Sequence, residues 1–196
     1  MQVISTYYIV YYHLFTQIIV IWTAVNKPPP THQWPFVGGR TNVPIQVLHQ
    51  PSAPVSSRFR DDLLIKTDAV FSLDDDAAIT TEEMDFAFQV WQHFPDRLVG
   101  FPSRSHFWDD RKQKWVYTSK WSNEYSMVLT GAAFYHRYYN SLFTKSVSPM
   151  LTKFVDEKAN CEDILMNFLV SHVTRRPPIK VTQRKQYKEA SASGVK

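Results

Sequence analysis

The sequence contains few of the residues on which several common functional sites depend. Its 196 residues include one cysteine and five glycines. The single cysteine, Cys161, cannot form a zinc site with other thiolates, and it is either a reduced buried thiol or half of a disulfide whose partner lies elsewhere. Neither GxGxxG nor GxxxxGK(S/T) occurs, which disfavours a dinucleotide-binding loop or a P-loop.

Charge of neither sign dominates the chain. Lysine and arginine total 22 and aspartate and glutamate total 18, which gives a formal net charge of +4. This charge suits an anionic partner without requiring one, and we expect no nucleic-acid partner. Basic residues cluster after Arg175 and could attract an acidic glycan, but a basic run near a terminus is more often simply solvated.

The first 25 residues contain no charged side chain. A stretch of that length could span a membrane. However, no basic segment precedes it, and polar residues such as His13 and Gln17 interrupt it. We therefore expect a half-buried segment here rather than a membrane anchor.

Short apolar runs alternate with helical patterns along the chain, so the sequence predicts an α/β fold. Hydrophobic residues make up 44% and aromatic residues 15%, enough for the core of one globular domain. The predicted strands are Gln17–Trp22, Pro44–Leu48, Ala69–Leu73, Leu98–Phe101 and Tyr125–Leu129.

Three helices are predicted. Thr80 and Glu83 form a capping box before a helix that ends near Pro95. A second helix is predicted from Ala132 to Phe143, after a turn at Thr130–Gly131. A third begins at Asn160, and its expected apolar face carries Ile164, Leu165, Phe168 and Leu169.

Large aromatic residues are concentrated in the polar stretch between Ser105 and Ser122. They are Phe107, Trp108, Trp115, Tyr117 and Trp121. Such rings could stack on the sugar rings of a glycan. Large aromatic side chains are buried on average, however, so we expect most of these to pack in the core or within a hairpin.

Three aspartates, Asp74–Asp76, follow the apolar run Ala69–Leu73. Adjacent carboxylates repel and raise each other's pKa, so a nearby cation would stabilise them. A divalent metal that carries a diphosphate would supply it, because hard cations bind carboxylate and phosphate oxygens together. The alternative is an acidic turn before a helix, but ligands of open α/β sheets bind at the carboxyl ends of strands.

With this acidic run, the layout resembles a GT-A glycosyltransferase, and specifically the exostosin family, whose C-terminal domain is glycosyltransferase family 64. The resemblance extends from about Gln17 to Tyr187. It rests on the segments Ser56–Phe59, Thr67–Asp76, Asp85–Gln92, Phe94–Phe101, Arg104–Trp108, Tyr117–Trp121, Tyr125–Leu129 and Asn160–Phe168. It implies a Rossmann-like mixed sheet flanked by helices, here incomplete at both ends.

The resemblance also implies an activity. The family members are Mn²⁺-dependent transferases that use a UDP-sugar, typically UDP-N-acetylglucosamine (UDP-GlcNAc), and extend heparan sulfate, a glycosaminoglycan, with retention of configuration. A second exostosin subunit is an implied partner. The implied location is the lumen of the endoplasmic reticulum or Golgi, as a type II membrane protein, although no anchor is evident in these residues.

The family's metal-binding DxD motif corresponds to Asp74 and Asp76, with Asp75 between them. A metal bound there would neutralise charge on the UDP leaving group as a Lewis acid. Arg58 corresponds to a family arginine that contacts the nucleotide, a role that suits the planar guanidinium. Without the resemblance, Arg58 would be taken as an exposed arginine at a strand edge.

Asp163 corresponds to the family's essential carboxylate, with Asn160 three residues before it. Glu162 could share the role of Asp163 or bind the acceptor, and we count Asn160 and Glu162 among the donor-binding residues. By position alone, Asn160 and Asp163 would be ordinary caps at the start of a helix. In a retaining transfer the carboxylate either stabilises an oxocarbenium-like state or attacks the anomeric carbon. The residues do not distinguish these two roles.

Departures from the family pattern predict a fragment with a weakened donor site. Residues 1–16 diverge where the family has a strand and an arginine-containing turn, and Thr23 replaces an asparagine that helps to hold UDP. The sequence stops before a segment that supplies a further arginine and a cysteine partner for Cys161. We therefore divide the chain into a divergent segment 1–16, a truncated transferase domain 17–188 and a disordered tail 189–196.

Two other functions remain open. The chain could be a weak or inactive module that binds a partner or a glycan, in which case Asp74 and Asp76 would not matter for binding. It could also be a metal-dependent phosphoryl enzyme, but nothing resembling a second metal site accompanies the aspartates.

Overall fold

The computed structural model describes residues 15–27, 43–61, 65–119 and 124–182. These residues form nine strands, four α-helices and one 3-10 helix. The strands are β1 (Ile18–Trp22), β2 (Ile45–His49), β3 (Ala69–Leu73), β4 (Val99–Gly100), β5 (Ser103–Asp109), β6 (Lys114–Thr118), β7 (Met127–Val128), β8 (Ala132–His136) and β9 (Ile179–Lys180). The α-helices are α1 (Thr81–His93), α2 (Tyr138–Ser146), α3 (Pro149–Lys158) and α4 (Glu162–Thr174), and the 3-10 helix is Val55–Phe59.

Strand β8 lies at the centre of the main sheet, whose strand order is β3-β8-β4-β9. It pairs antiparallel with β3 on one edge and with β4 on the other, and β9 is parallel to β4. A Cβ at Gly100 would collide with the backbone oxygen of Ala132, so the absence of a side chain lets β4 approach β8 closely.

Two hydrophobic clusters cover opposite faces of the main sheet, because successive strand residues point to opposite sides. On one face Phe134 packs in a cluster that includes Val20 of β1 and Met84 of α1. On the other face Tyr135 packs in a cluster that includes Met166 of α4. A mixed sheet with helices on both faces confirms the predicted α/β class.

Strands β1 and β2 pair in parallel and form a separate two-stranded sheet. They confirm two predicted strands to within one residue. A cavity of about 300 Å³ lies between β1 and β3 and is lined mainly by apolar side chains such as Ile18 and Phe71. Among the described residues, β1 therefore contributes to the core by side-chain packing and not by hydrogen bonds to the main sheet.

Strand β3 and helix α1 match the predicted pattern. Strand β3 stops at Leu73, directly before the aspartates. At the start of α1 the Thr80 hydroxyl accepts from the Glu83 N–H at 3.3 Å, and the Glu83 carboxylate accepts from the Thr80 N–H at 3.0 Å. This reciprocal pair satisfies helix-terminal donors that would otherwise lack partners, so the predicted capping box is confirmed.

The helix predicted from Ala132 to Phe143 is wrong in its first part. Residues Ala132–His136 form β8, and helix α2 begins only at Tyr138. The two alanines favour helix locally, but pairing on both strand edges outweighs that weak preference. The strand predicted at Tyr125–Leu129 is confirmed only as the short β7.

The last predicted helix is also corrected. Helix α4 begins at Glu162, not at Asn160, and its buried residues include Met166 and Asn167. Of the predicted apolar face, Leu165 and Leu169 pack against the cluster that contains Met166, whereas Phe168 is 51% exposed. The face differs because α4 turns Asn167 toward β7, as described below. Helix α3 was not predicted.

The aromatic stretch forms the hairpin β5–β6, which pairs with β7 along the other edge of β5. A hairpin was one of the two predicted arrangements. The predicted burial is wrong for its rings, because Phe107, Trp108, Trp115 and Tyr117 are all exposed. Trp121 lies outside the described residues.

In the portions of the chain that the structure describes, no helix combines the length and apolar character needed to cross a bilayer. Residues 1–14 and 183–196 lie outside those portions. Most of the predicted divergent segment and the whole predicted tail therefore fall outside the described residues.

Candidate functional site

Arg58 joins two parts of the candidate site. Its side chain is only 9% exposed. One terminal nitrogen, Nη2, donates to Asp74 Oδ1 at 2.7 Å and to Ser72 Oγ at 3.0 Å. The other, Nη1, donates to Glu162 Oε1 at 3.2 Å. A single guanidinium therefore ties the end of β3 to the start of α4.

The charges around Arg58 compensate for its burial. Burial lowers the pKa of the Arg58 guanidinium, but the nearby charges of Asp74 and Glu162 more than offset this, so the pKa is raised. Arginine thus stays charged, and it balances one of the two carboxylates that it contacts. Its Nε is buried and has no hydrogen-bond partner among the described residues.

Asp74 is held closely against Gly131. The Asp74 N–H donates to the Gly131 carbonyl at 2.8 Å. A Cβ at position 131 would collide with Asp74 Oδ2, so any side chain there would displace the carboxylate. The glycine after Thr130 is thus required by the close approach of the Asp74 side chain.

Asp75 and Asp76 continue from Asp74 into a turn. Burial, followed by the charge of Asp76, raises the pKa of Asp75. Asp76 itself is exposed. Carboxylates whose ionised forms are disfavoured by burial and by like charges are stabilised strongly by a nearby cation.

Asp163 lies in the first turn of α4, next to Glu162. Its Oδ1 accepts from the Ile164 N–H at 2.6 Å. Burial and then the charge of Glu162 raise the pKa of Asp163 to about 6, although the Ile164 N–H and Arg58 act in the opposite direction. A half-buried carboxylate with a pKa this far above its usual range is typical of functional sites.

Asn160 and Cys161 form the turn between α3 and α4. Asn160 is exposed, and its Oδ1 accepts from the Cys161 N–H at 2.6 Å. Cys161 has a φ of 75°, unusual for a residue with a side chain. Its thiol is free, and burial and then the charge of Asp163 raise its pKa. The structure thus places Asn160 beside the site in sequence, and its predicted role at the donor stays a prediction.

Asn167 is a buried residue of the site that sequence analysis did not single out. Its Oδ1 accepts from the Val128 N–H at 3.0 Å, and its Nδ2 donates to the Val128 carbonyl at 2.7 Å and to the Asp163 carbonyl at 2.8 Å. The side-chain amide therefore pairs with β7 much as a neighbouring strand would. A single amide among apolar helix residues was the available signal, since a buried amide needs partners.

Asp156 positions the segment that carries Arg58. Its Oδ1 accepts from the Ser56 N–H at 3.1 Å, and its Oδ2 accepts from the Ser56 hydroxyl at 2.9 Å. These bonds hold the start of the 3-10 helix against α3. Because 100 residues separate the partners, no local sequence pattern could have indicated them.

The aspartate run fits a hard divalent cation in the type of its donors, since all of them are carboxylate oxygens. Asp76 is exposed and Asp75 is half-buried, whereas Asp74 Oδ1 already accepts from Arg58. Within the described ranges, no three histidine, cysteine or acidic side chains converge in a metal-binding arrangement. A cation held by the aspartates would therefore complete its coordination with water or phosphate oxygens.

Comparison with known proteins gives one family. The model for the Glycosyl transferase family 64 domain matches residues 1–196. Exostosin-1a of Danio rerio is 59% identical over 173 residues, which cover 88% of this chain and 23% of that protein. Exostosin-1 of Bos taurus is 58% identical with the same coverage, and Exostosin-1 of Drosophila melanogaster is 52% identical over 187 residues, 25% of its length. The chain therefore spans about a quarter of the length of these relatives.

Proposed function

Because the chain belongs to glycosyl transferase family 64, we propose that it acts as a glycosyltransferase domain, which transfers a sugar from a nucleoside diphosphate to a glycan. Family membership confirms the predicted resemblance, and the mixed sheet with four helices is consistent with a GT-A-like domain. The observation that carries the proposal is the Arg58 network. It brings Asp74 and Glu162 together, although each is far from the other in the sequence.

The donor that we propose is UDP-N-acetylglucosamine, and the acceptor is a growing heparan sulfate chain, with retention of configuration. The support is the identity of more than half the aligned residues to proteins named exostosin-1. On the same basis we place the full-length protein in the endoplasmic reticulum or Golgi, with another exostosin subunit as a partner.

Asp163 is the residue to which we assign catalysis. Its carboxylate is fixed by the Ile164 N–H and has a pKa of about 6, so roughly nine molecules in ten carry the charge at pH 7. A fixed negative charge beside the anomeric carbon would stabilise positive charge as the bond to the leaving group breaks, or would attack that carbon. Glu162 shares this turn but is engaged by Arg58, which makes it a positioning residue.

Asp74 and Asp76 are the residues that would hold Mn²⁺, with Asp75 between them. When bound, the cation supplies Lewis-acid stabilisation of the departing diphosphate. The protein's own part is to hold three carboxylates at the end of β3 and to keep Arg58 beside them.

The decisive experiment separates donor binding from transfer in the 196-residue chain. Calorimetry measures UDP affinity with and without Mn²⁺, and a radiolabel assay measures transfer of N-acetylglucosamine to a heparan-type oligosaccharide. We expect Asp76→Asn to weaken Mn²⁺-dependent UDP binding at least about tenfold. Asp163→Asn should leave UDP binding intact and lower transfer about 100-fold or more, since it removes an interaction needed in the transition state.

The matched control is Asp110→Asn, which makes the same chemical change at an exposed position of the β5–β6 turn. It should alter neither readout. UDP binding that ignores both Mn²⁺ and the Asp76→Asn change would refute the assignment of the aspartates.

One observation favours a second candidate, a non-catalytic module of the same family. Asp74 Oδ1 is already paired with Arg58 at 2.7 Å, so one oxygen of the DxD pair is not free for a cation while that bond persists. A module that only binds glycan or a partner would retain that binding in Asp74→Asn and Asp76→Asn and would bind no UDP.

A further inference from the structure

The β5–β6 hairpin presents aromatic rings on one of its two faces. His106 lies opposite Tyr117, and Trp108 lies opposite Trp115, in the antiparallel register. Directly opposed residues share a face, and residues two apart along a strand share it too. These four rings are therefore on the same side of the hairpin, and with Phe168 of α4 we call them the aromatic face.

The rings of the aromatic face are contiguous and open to solvent. Trp108 and Trp115 meet edge to face at 5.8 Å between centroids. His106 lies 5.6 Å from Trp115 and 5.5 Å from Phe168. Trp115 is 66% exposed and Phe168 is 51% exposed. An exposed apolar patch of this kind usually marks a binding surface.

The His106 ring is held in place, so the patch has a defined shape. The Ser126 hydroxyl lies 2.6 Å from His106 Nδ1 and also accepts from the His106 N–H at 2.9 Å. A fixed ring between Trp115 and Phe168 loses little conformational freedom when a ligand binds.

The charges of the hairpin strands are distributed between its two faces. Arg104 is on the side of His106 and Trp108 by strand alternation, whereas Asp109 and Lys114 oppose each other on the other side. The only carboxylate within these two strands thus lies away from the rings. A face with flat rings and a cation, and without a carboxylate from the strands, suits a ligand that has apolar ring faces and carboxylate groups.

The aromatic face is connected to the proposed transfer site through α4. Phe168 follows Asp163 by five residues, about 7.5 Å along the helix axis and about 140° around it, so the two side chains lie on different faces of α4. Strand β5 pairs with β7, and Asn167 ties β7 to the first turn of α4. Asp163 and the aromatic face are therefore carried by one connected assembly of α4, β7 and β5.

We propose that the aromatic face is the binding site for the acceptor glycan, an acidic polysaccharide whose sugar rings stack on Trp115 and Trp108 and whose carboxylates face Arg104. The inference rests on the proposed function, since it names the acceptor subsite of the same transferase. The sequence predicted that most of these rings would be buried. A role in binding the acceptor explains why they are exposed instead.

The test uses an unsulfated oligosaccharide of alternating glucuronate and N-acetylglucosamine as the probe, with binding to the 196-residue chain followed by calorimetry. Trp115→Ala should weaken binding at least about tenfold, a loss typical of one aromatic contact at a binding site. Trp115→Phe should retain part of the affinity, because it keeps a ring. A neutral oligosaccharide of N-acetylglucosamine should bind more weakly than the acidic probe. In transfer assays Trp115→Ala should raise the acceptor KM and leave the donor KM unchanged.

The matched control is Phe86→Ala, which removes a ring that is 56% exposed on α1 and should not change binding. Equal affinity of Trp115→Ala and the unchanged chain would overturn the proposal, as would no binding of the probe. Self-association lost in Trp115→Ala, seen by sedimentation, would assign the face to a second copy and overturn it too. Mn²⁺-dependent UDP binding is measured on the same samples, so failure of the proposed function is distinguishable from failure of the acceptor site.

Discussion

At the scale of single residues, Arg58 determines whether two acidic groups can lie close together. Its guanidinium contacts Asp74 and Glu162, whose side chains are 37% and 11% exposed. Removing one partner of such a pair leaves the other charges without compensation, which costs much more than the pair contributes net. Arg58 is therefore a positioning residue for the carboxylates, whatever it contributes to nucleotide binding.

We expect Arg58→Ala to lower the free energy of unfolding by about 2–4 kcal/mol, near the lower part of the range for buried ion pairs because Asp74 is partly solvated. Urea denaturation at pH 7 measures this. The control Arg60→Ala changes an exposed arginine two residues away and should cost no more than about 0.5 kcal/mol. Equal effects of the two changes would contradict the role of Arg58.

Asp163 gives a pH dependence with a definite sign. Its pKa is about 6 in the folded chain, above the value of 3.8 for an unperturbed aspartate. A raised folded pKa favours the protonated folded form, so its contribution is fully present below about pH 4 and is lost as pH rises through 6. The ionised carboxylate thus destabilises the fold at the pH where the proposed catalysis needs it.

Asp163→Asn keeps an oxygen for the Ile164 N–H and removes the charge. Relative to the unchanged chain, it should be more stable by roughly 1–3 kcal/mol at pH 7.5, and this advantage should vanish near pH 4. Urea denaturation across that pH range measures the difference, and Asp110→Asn should show no such trend. A stability difference that stays constant with pH would contradict the raised pKa. Greater stability with lower transfer would show a stability–activity trade-off.

At the scale of elements, helix α4 is held to strand β7 by a side-chain amide. Asn167 is 2% exposed, and its side-chain amide bonds both the N–H and the carbonyl of Val128. The same amide also bonds the Asp163 carbonyl, so it sets the position of the first turn. The position of Asp163, to which we assign catalysis as a proposal, therefore depends on a contact made one turn further along the helix.

Asn167→Ala should lower the free energy of unfolding by about 2–4 kcal/mol, because it leaves the Val128 N–H and carbonyl buried without partners. It should also lower transfer while the affinity for UDP stays the same, since Asp74 and Asp76, the proposed metal ligands, follow strand β3 and not α4. His172→Ala, at an exposed position of the same helix, is the control for both measurements. A stability loss without any change in transfer would restrict Asn167 to a structural role.

Local signals in the sequence predicted some elements and failed for others for physical reasons. The capping box of α1 and the apolar run of β3 are complete within a few residues, so both were predicted. Strand β8 is buried on both faces and shows no alternation, and its alanines favour helix locally. Only its pairing with β3 and β4, which involves distant residues, makes it a strand.

For the candidate site too, residues in short motifs were predicted and contacts between separate segments were not. The resemblance indicated Arg58, the aspartates and Asp163 from short motifs, and the structure brings Arg58, Asp74 and Glu162 into contact. The pairing of Arg58 with Asp74, 16 residues apart, and the bonds of Asp156 to Ser56, 100 residues apart, could not be predicted, because no local sequence pattern joins these residues. Exposure of the hairpin rings was mispredicted, since average burial does not reveal a binding surface.

At the scale of the whole molecule, the main sheet and the β1–β2 sheet are held together differently. Strand β8 is hydrogen-bonded along both edges, whereas β1 pairs only with β2 among the described strands and faces β3 across a cavity of about 300 Å³. A two-stranded sheet is marginal without packing. We therefore expect β1 and β2 to open as a unit before the main sheet does.

Native-state hydrogen exchange tests this order. Amides of β8 should exchange only with global unfolding, and those of β1 at a lower opening free energy.

Val20 and Val99 are both fully buried in the same cluster, so their alanine variants form a matched pair. Val20→Ala should accelerate exchange in both β1 and β8, because the contacts of Val20 are broken in the local opening of β1 and also in global unfolding. Val99→Ala should accelerate β8 and leave β1 unchanged, because the main sheet stays intact when β1 opens. Equal acceleration of both strands by Val99→Ala would show instead that the two sheets unfold as one cooperative unit.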